Sequence, residues 1–228
     1  KNAILLGEVT DKFEGKVNGE KIDLEEVETT WLNKLNPIFP YKLEEKIETY
    51  DIKNKIGEKK IYKSSITIAK PRVVIAAFPG TNSEYDMYNR FNENGGEAKI
   101  TLLRNLTQKH LVESVDEMCK DLRNSQIFVL PGGFSAGDEP DGSGKFMAAV
   151  LQNPKLMDEI KAFLDRDGLI LGVCNGFQAL VKSGLLPYGE IGNVHENSPT
   201  LTFNKIGRHI SQIVKTKIVT NNSPPASD

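Results

Sequence analysis

Between residues 72 and 176 the chain repeats one pattern: a short, nearly continuous apolar run, then a stretch whose apolar residues recur at helical spacing. The runs are residues 73–78, 98–103, 126–130 and 169–173, rich in Val, Ile, Leu and Phe. A strand that is apolar at successive positions has both faces covered, which is the condition of a parallel sheet. Between these runs, Leu111, Val115, Met118 and Leu122 mark the inward stripe of one helix, and residues 83–94 read as another. Residues 145–166 form a longer helical region broken at Pro154, and 176–182 a short helix. Repeated strand–helix units predict an α/β fold, a parallel sheet with helices on both faces. In such sheets a site lies beyond the carboxyl ends of the strands. Pro79-Gly80, Pro131-Gly132-Gly133 and Cys174-Asn175-Gly176 all stand there and are expected to converge on one cleft.

Residues 1–70 have a different character. Residues 3–9 read as a strand in which Gly7 marks a close backbone approach. Asp23 is placed to cap a helix whose face carries Leu24, Val27, Trp31 and Leu35, with Pro37 and Pro40 ending it. Residues 42–63 are rich in Lys and Glu and read as a solvated connector. The whole chain has 228 residues with 29 Lys+Arg against 31 Asp+Glu, a formal charge of -2. That balance gives no basic footprint for nucleic acid and no cationic face for a membrane surface. No apolar run approaches the roughly 20 residues of a membrane span. Two cysteines, Cys119 and Cys174, make no disulfide framework and point to a reducing, cytoplasmic setting. The first residues, without an initiator Met or a signal-like run, read as a cut within a longer chain.

The most reactive pattern is Gly172-Val173-Cys174-Asn175-Gly176-Phe177-Gln178. Small residues two before and two after a nucleophile are what a tight strand-to-helix elbow requires, because side chains there would clash. Cys174 would sit at a helix N-terminus, where unpaired N–H groups and the dipole favour a thiolate, the form that attacks a carbonyl carbon. The competing reading, a buried and inert thiol, suits Cys119, which lies on or beside an apolar helical face. Pro131-Gly132-Gly133-Phe134-Ser135-Ala136-Gly137-Asp138 adds consecutive glycines after a strand, whose N–H groups can turn toward a bound oxyanion. A plain Gly-rich turn is the alternative there.

A Pro-Gly-Gly strand end followed by this cysteine elbow resembles the class I glutamine amidotransferases, which implies a flavodoxin-like fold. Residues 78–86 (Phe78-Pro79-Gly80-Thr81-Asn82-Ser83-Glu84-Tyr85-Asp86), 131–138 and Cys174-Asn175-Gly176-Phe177-Gln178 together resemble the glutaminase domain of phosphoribosylformylglycinamidine synthase. So do Asn197-Ser198-Pro199-Thr200-Leu201, Asn204 and Gly207-Arg208. The resemblance covers residues 71–228. By position it makes residues 1–40 the tail of a preceding synthetase (AIR synthase-like) domain and 41–70 a linker.

The resemblance implies that Cys174 attacks the side-chain amide of glutamine, that Gly133 and Asn175 supply oxyanion N–H groups, and that Gln178 helps hold the glutamine. Ammonia would pass to the synthetase domain of the same polypeptide, for ATP-dependent conversion of formylglycinamide ribonucleotide to its amidine. No cofactor and no metal is expected in this piece, with ATP and Mg belonging to the full-length enzyme. The family's base is a His in a His-x-Glu arrangement on the order of a hundred residues after the Cys. His110 precedes the elbow, His195 adjoins Glu196 directly, and His209 stands in a segment that resembles the β-region before the catalytic His. None of the three is therefore expected to be the base. The piece is expected to be truncated at its C-terminus, in the polar stretch 221–228, and to be inactive for lack of the His. Two other readings remain: the amidotransferase domain of another synthetase, and a flavodoxin-like domain with a redox-sensitive elbow cysteine.

Overall fold

The computed structural model describes residues 3–38, 40, 68–137, 144–202, 204, 206–207, 210–211 and 213–216. The expected linker residues 41–67, Asp138, Arg208, His209 and the stretch 221–228 lie outside the described residues. Two compact units are present, one drawn from Lys1–Asn54 and Phe203–Val219, the other from Lys55–Thr202 and Thr220–Asp228.

In the first unit, β1 (Gly15–Val17) and β2 (Glu20–Ile22) form an antiparallel hairpin with Gly15 opposite Ile22. Asn18 and Gly19 both have positive φ, 51° and 90°, as a two-residue hairpin turn of matching twist requires. Helix α1 (Leu24–Asn33) follows, and Asp23 caps it by accepting from Glu25 N (2.9 Å) and Glu26 N (3.1 Å). It ends at Asn33, before Pro37 and Pro40. The expected strand over residues 3–9 is not formed. No described strand pairs with it, and Leu5, Leu6 and Val9 are almost fully exposed. An apolar run becomes a strand only when a neighbour takes its N–H and C=O groups. Gly7 has nothing within 4 Å of where a Cβ would stand, so no backbone approaches it.

The second unit carries the expected parallel sheet. Strands β3 (Arg72–Ala77), β4 (Glu97–Leu102), β5 (Ile127–Leu130) and β6 (Leu169–Gly172) are ordered β4-β3-β5-β6, every neighbouring pair parallel. Side chains alternate between the faces. On one face Val74, Ala76, Phe128 and Leu130 pack against α3 (Gln108–Arg123), α4 (Lys145–Leu151), α5 (Pro154–Asp165) and α6 (Asn175–Ser183). On the other, Val73, Ile75 and Val129 meet Met87 and Phe91 of α2 (Glu84–Glu93). Helices thus lie on both faces, and one of the two cores is much the larger. Fully buried Phe128, Phe163, Met118 and Leu122 anchor it, each side chain contributing about 2–3 kcal/mol.

Local chemistry sets the helix limits. Thr107 caps α3 through His110 N (3.1 Å), and Asn153 caps α5 through Lys155 N (3.1 Å). Pro154, at the first position of α5, separates it from α4, because a missing N–H is harmless only there. A last short helix, α7 (Leu185–Tyr188), follows α6. Parallel strands with intervening helices bring the ends of β3, β5 and β6 to one edge of the sheet.

Candidate active site

Three strand ends meet where the sequence puts its glycines. After β3, Thr81 N donates to Phe78 O (2.9 Å) while Thr81 Oγ1 accepts from Phe78 N (3.0 Å), closing a tight turn. A Cβ on Gly80 would lie 2.1 Å from Phe134 O, and one on Gly133 only 2.5 Å from Gly80 O. The two turns can approach this closely only as glycines, and Gly133 also holds φ of 146°. Phe134 N donates to Gly80 O (2.8 Å) and Asn82 N to Gly132 O (3.1 Å), so the turns are joined as a short antiparallel bridge between Thr81 and Gly133.

The third strand end is the elbow. Val173 N donates to Leu130 O (3.0 Å), carrying the β5–β6 pairing one residue past the sheet. Cys174 then turns the chain with φ 52° and ψ −109°, a conformation that strains any L-residue, and α6 begins at Asn175. A Cβ on Gly176 would fall 1.9 Å from Leu130 O, and one on Gly172 2.6 Å from Leu180 Cδ1. The spacing of small residues around the cysteine is therefore a steric requirement of this turn. Cys174 is solvent-exposed at the start of α6, and a Cβ on Gly132 would lie 3.1 Å from Cys174 Cβ.

The remaining predicted residues gather at the same point. Asn175 is fully buried, its Oδ1 accepting from Ser135 N (3.2 Å) and its Nδ2 donating to Gln178 Oε1 (3.2 Å). Gln178 also donates its backbone N–H to Cys174 O (3.0 Å). Gly132 N is taken by Ser83 Oγ (2.9 Å) and Phe134 N by Gly80 O, which leaves Gly133 N as the donor of the turn with no partner among the described residues. The structure thus brings Cys174, Gly133, Asn175 and Gln178 together through two loops and one helix start.

Two residues here carried no sequence signal beyond their place in a motif. Ser83 reads in sequence only as a helix start, yet its hydroxyl binds Gly132 across 49 positions. Ser135 is 2% exposed, and its hydroxyl has no hydrogen-bond partner among the described residues. Cys119 is fully buried, its Sγ 3.8 Å from Lys155 O, in agreement with a packing role. Among the described residues no histidine is hydrogen-bonded to Cys174. His195 stacks on Tyr188, with ring centroids 5.2 Å apart, and its Nε2 lies 3.5 Å from the Tyr188 hydroxyl. His110 lies in the first turn of α3 with its Nδ1 buried and unpaired.

A family model described as a CobB/CobQ-like glutamine amidotransferase domain matches residues 70–226. The chain belongs to that family. Curated relatives are phosphoribosylformylglycinamidine synthase subunits PurQ. That of Treponema denticola is 36% identical over 147 residues, 61% of this chain and 50% of the relative. That of Dehalococcoides mccartyi is 35% identical over 142 residues, 62% of this chain and 50% of the relative. That of Wolinella succinogenes is 33% identical over 153 residues, 67% and 56%. The chain thus spans about half the length of the curated relatives it matches. A solved structure of PurLQS from Thermotoga maritima matches with 32% identity over 51% of this chain and 46% of that one, at a TM-score of 0.38.

For a glutamine amidotransferase domain the geometry has a direct chemical use. An exposed thiol stands at the head of α6. A glycine turn with an N–H that has no partner among the described residues packs against its Cβ. Among the described residues no group of three metal-ligating side chains occurs, and no helix is long and apolar enough to cross a membrane.

Proposed function

We propose that this glutamine amidotransferase domain is the glutaminase part of a phosphoribosylformylglycinamidine synthase. The observation that carries the reading is the strained, exposed Cys174 at the head of α6, packed against the Gly132-Gly133 turn. The names of the relatives support this synthase over one feeding ammonia to another acceptor, and family membership favours amide hydrolysis over a redox thiol.

In the proposed reaction Cys174 Sγ bonds to the side-chain carbonyl carbon of glutamine. The oxygen of the tetrahedral intermediate accepts from Gly133 N–H and Asn175 N–H, and Gln178 helps to hold the substrate. The C–N bond breaks, the nitrogen takes up a proton and leaves as ammonia, and a thioester remains. Water then adds to that carbon, the C–S bond breaks, and glutamate and the thiol are released. Ammonia is used by a synthetase partner, in the same polypeptide, to form the amidine of formylglycinamide ribonucleotide with ATP. ATP and Mg²⁺ are requirements of that partner's site. No cluster of described residues suits the metal, and no step here runs through either. The setting is cytoplasmic.

The general base is proposed to be the histidine of a His-x-Glu arrangement outside these 228 residues: the ring of His195 is stacked on Tyr188, His110 lies in the first turn of α3, and His209, outside the described residues, stands in a segment that resembles the β-region before the family's base. Glutamate release by this 228-residue chain is compared with that of a chain extended through the next His-x-Glu. The extended chain is expected to be active and the shorter one to be slower by on the order of 10⁴-fold. Equal rates overturn the assignment of the base. Cys174→Ser in the extended chain is expected to lose hydrolysis to a similar extent, and retention of activity overturns the nucleophile.

A further inference from the structure

We propose that Ser83 is a positioning residue that fixes the direction of the Gly133 N–H; the inference rests on Cys174 and the Gly132-Gly133 turn acting in amide hydrolysis. Ser83 occupies the N-cap of α2, where a serine ordinarily accepts a hydrogen bond from its own helix. Here its backbone lies outside the extended region, at φ −112° and ψ 20°, and the side chain caps nothing in α2. The hydroxyl is diverted across the cleft. It accepts from Gly132 N at 2.9 Å and lies 3.3 Å from Gly132 O, to which it can donate. Gly132 O also accepts from Asn82 N (3.1 Å) and Ser83 N (3.4 Å). The head of α2 thus grips both polar groups of one glycine.

The consequence follows from the peptide bond. Gly132 C=O and Gly133 N–H belong to one planar trans unit and point in opposite directions. Holding Gly132 O against the head of α2 therefore aims Gly133 N–H away from α2. That N–H is also the donor of the turn with no partner among the described residues. Glycines on both sides impose no barrier of their own, since Gly133 at φ 146° has no Cβ to resist rotation of the peptide. Without an outside grip the donor direction would be a population of orientations. A preorganised donor stabilises a developing oxyanion because it need not reorient during the reaction. Ser83 supplies the one side-chain component of the grip; the rest is backbone.

The test is glutaminase kinetics of Ser83→Ala and Ser83→Thr in the full-length protein with its synthetase partner, beside the rate at which iodoacetamide alkylates Cys174. Alkylation is a displacement at an sp³ carbon and forms no oxyanion, so it reports thiol access and reactivity alone. Ser83→Ala is expected to lower kcat by about 10- to 100-fold, the scale of a misplaced or lost oxyanion donor. KM should stay within about threefold and alkylation unchanged, while Ser83→Thr, which keeps the hydroxyl, retains most of kcat. A wild-type kcat in Ser83→Ala overturns the inference and leaves the glutaminase reading standing. Equal loss of hydrolysis and alkylation, with a lowered melting temperature, overturns it in favour of a purely structural serine. If wild-type hydrolysis survives Cys174→Ser, the underlying reading fails first, and the inference with it.

Discussion

The elbow stores strain at one residue. Cys174 holds φ 52° and ψ −109°, a region that carries about 1–3 kcal/mol for an L-residue. Glycine relieves this strain and gives back part of the gain as unfolded-chain entropy. Cys174→Gly is therefore expected to raise stability to urea by about 1 kcal/mol while abolishing hydrolysis. A destabilised Cys174→Gly would mean that the exposed side chain stabilises more than its backbone costs. Two glycines provide a contrast. A Cβ on Gly176 would stand 1.9 Å from Leu130 O, inside the backbone of β5, whereas Gly189 at φ 77° has nothing within 4 Å. Gly176→Ala should destabilise by about 3 kcal/mol or more, an overpacking clash with a backbone that cannot step aside. Gly189→Ala should cost about 1 kcal/mol, the left-handed backbone alone. Urea midpoints of the two variants measure the difference.

At the scale of elements, what could be read in advance was whatever the chain encodes locally. Helix α3 was legible because Val115, Met118 and Leu122 recur at its period, and all three are buried. The break between α4 and α5 was legible because Pro154 can stand only at a helix start. Residues 3–9 looked like a strand for the same local reason and are not one, since pairing is supplied by a neighbour rather than by the run itself. The β1–β2 hairpin was the reverse case. Asn18-Gly19 is its signal, but strands of Gly-Lys-Val and Glu-Lys-Ile are too short and polar to show alternation. Cys174, Gly133, Asn175 and Gln178 were legible through their motif. The grip of Ser83 on Gly132 was not, because it joins residues 49 apart. Long-range pairing also holds α3 to α5, where Arg123 Nε meets Glu159 Oε2 at 2.7 Å and Glu159 is 8% exposed. Arg123 is more than half exposed, so water screens the pair, and Arg123→Ala is expected to cost about 1–2 kcal/mol. Glu159→Gln, which keeps the shape and leaves no buried charge, should cost less than Arg123→Ala in the same urea titration.

At the scale of the whole molecule, two groups among the described residues tie stability to alkaline pH. Burial, with the Glu159 carboxylate nearby, pushes the Cys119 thiol above its ordinary 9.0. Burial alone would lower Lys99, but its hydrogen bonds to Asp121 and Glu117 and their charges outweigh it, so its ammonium titrates above 10.5. In both cases the folded state holds its proton more tightly than the unfolded chain. Stability from each is complete below the unfolded value, and is lost as pH rises from there through the folded one. Cys119 acts first, because its unfolded value is the lower, and it is fully buried beneath α5 at the centre of the larger core. Lys99 is half exposed, and its share is diminished by solvent. Unfolding free energy is therefore expected to be nearly level up to about pH 8 and to fall as pH rises above about 9. Cys119→Ala has no thiol to titrate, so it should begin from a lower plateau, having lost the sulfur from the core, yet decline less over the same interval. Urea unfolding of both proteins across that range measures the two slopes. Parallel curves would mean that the alkaline loss comes from other groups and that the buried thiol contributes packing alone.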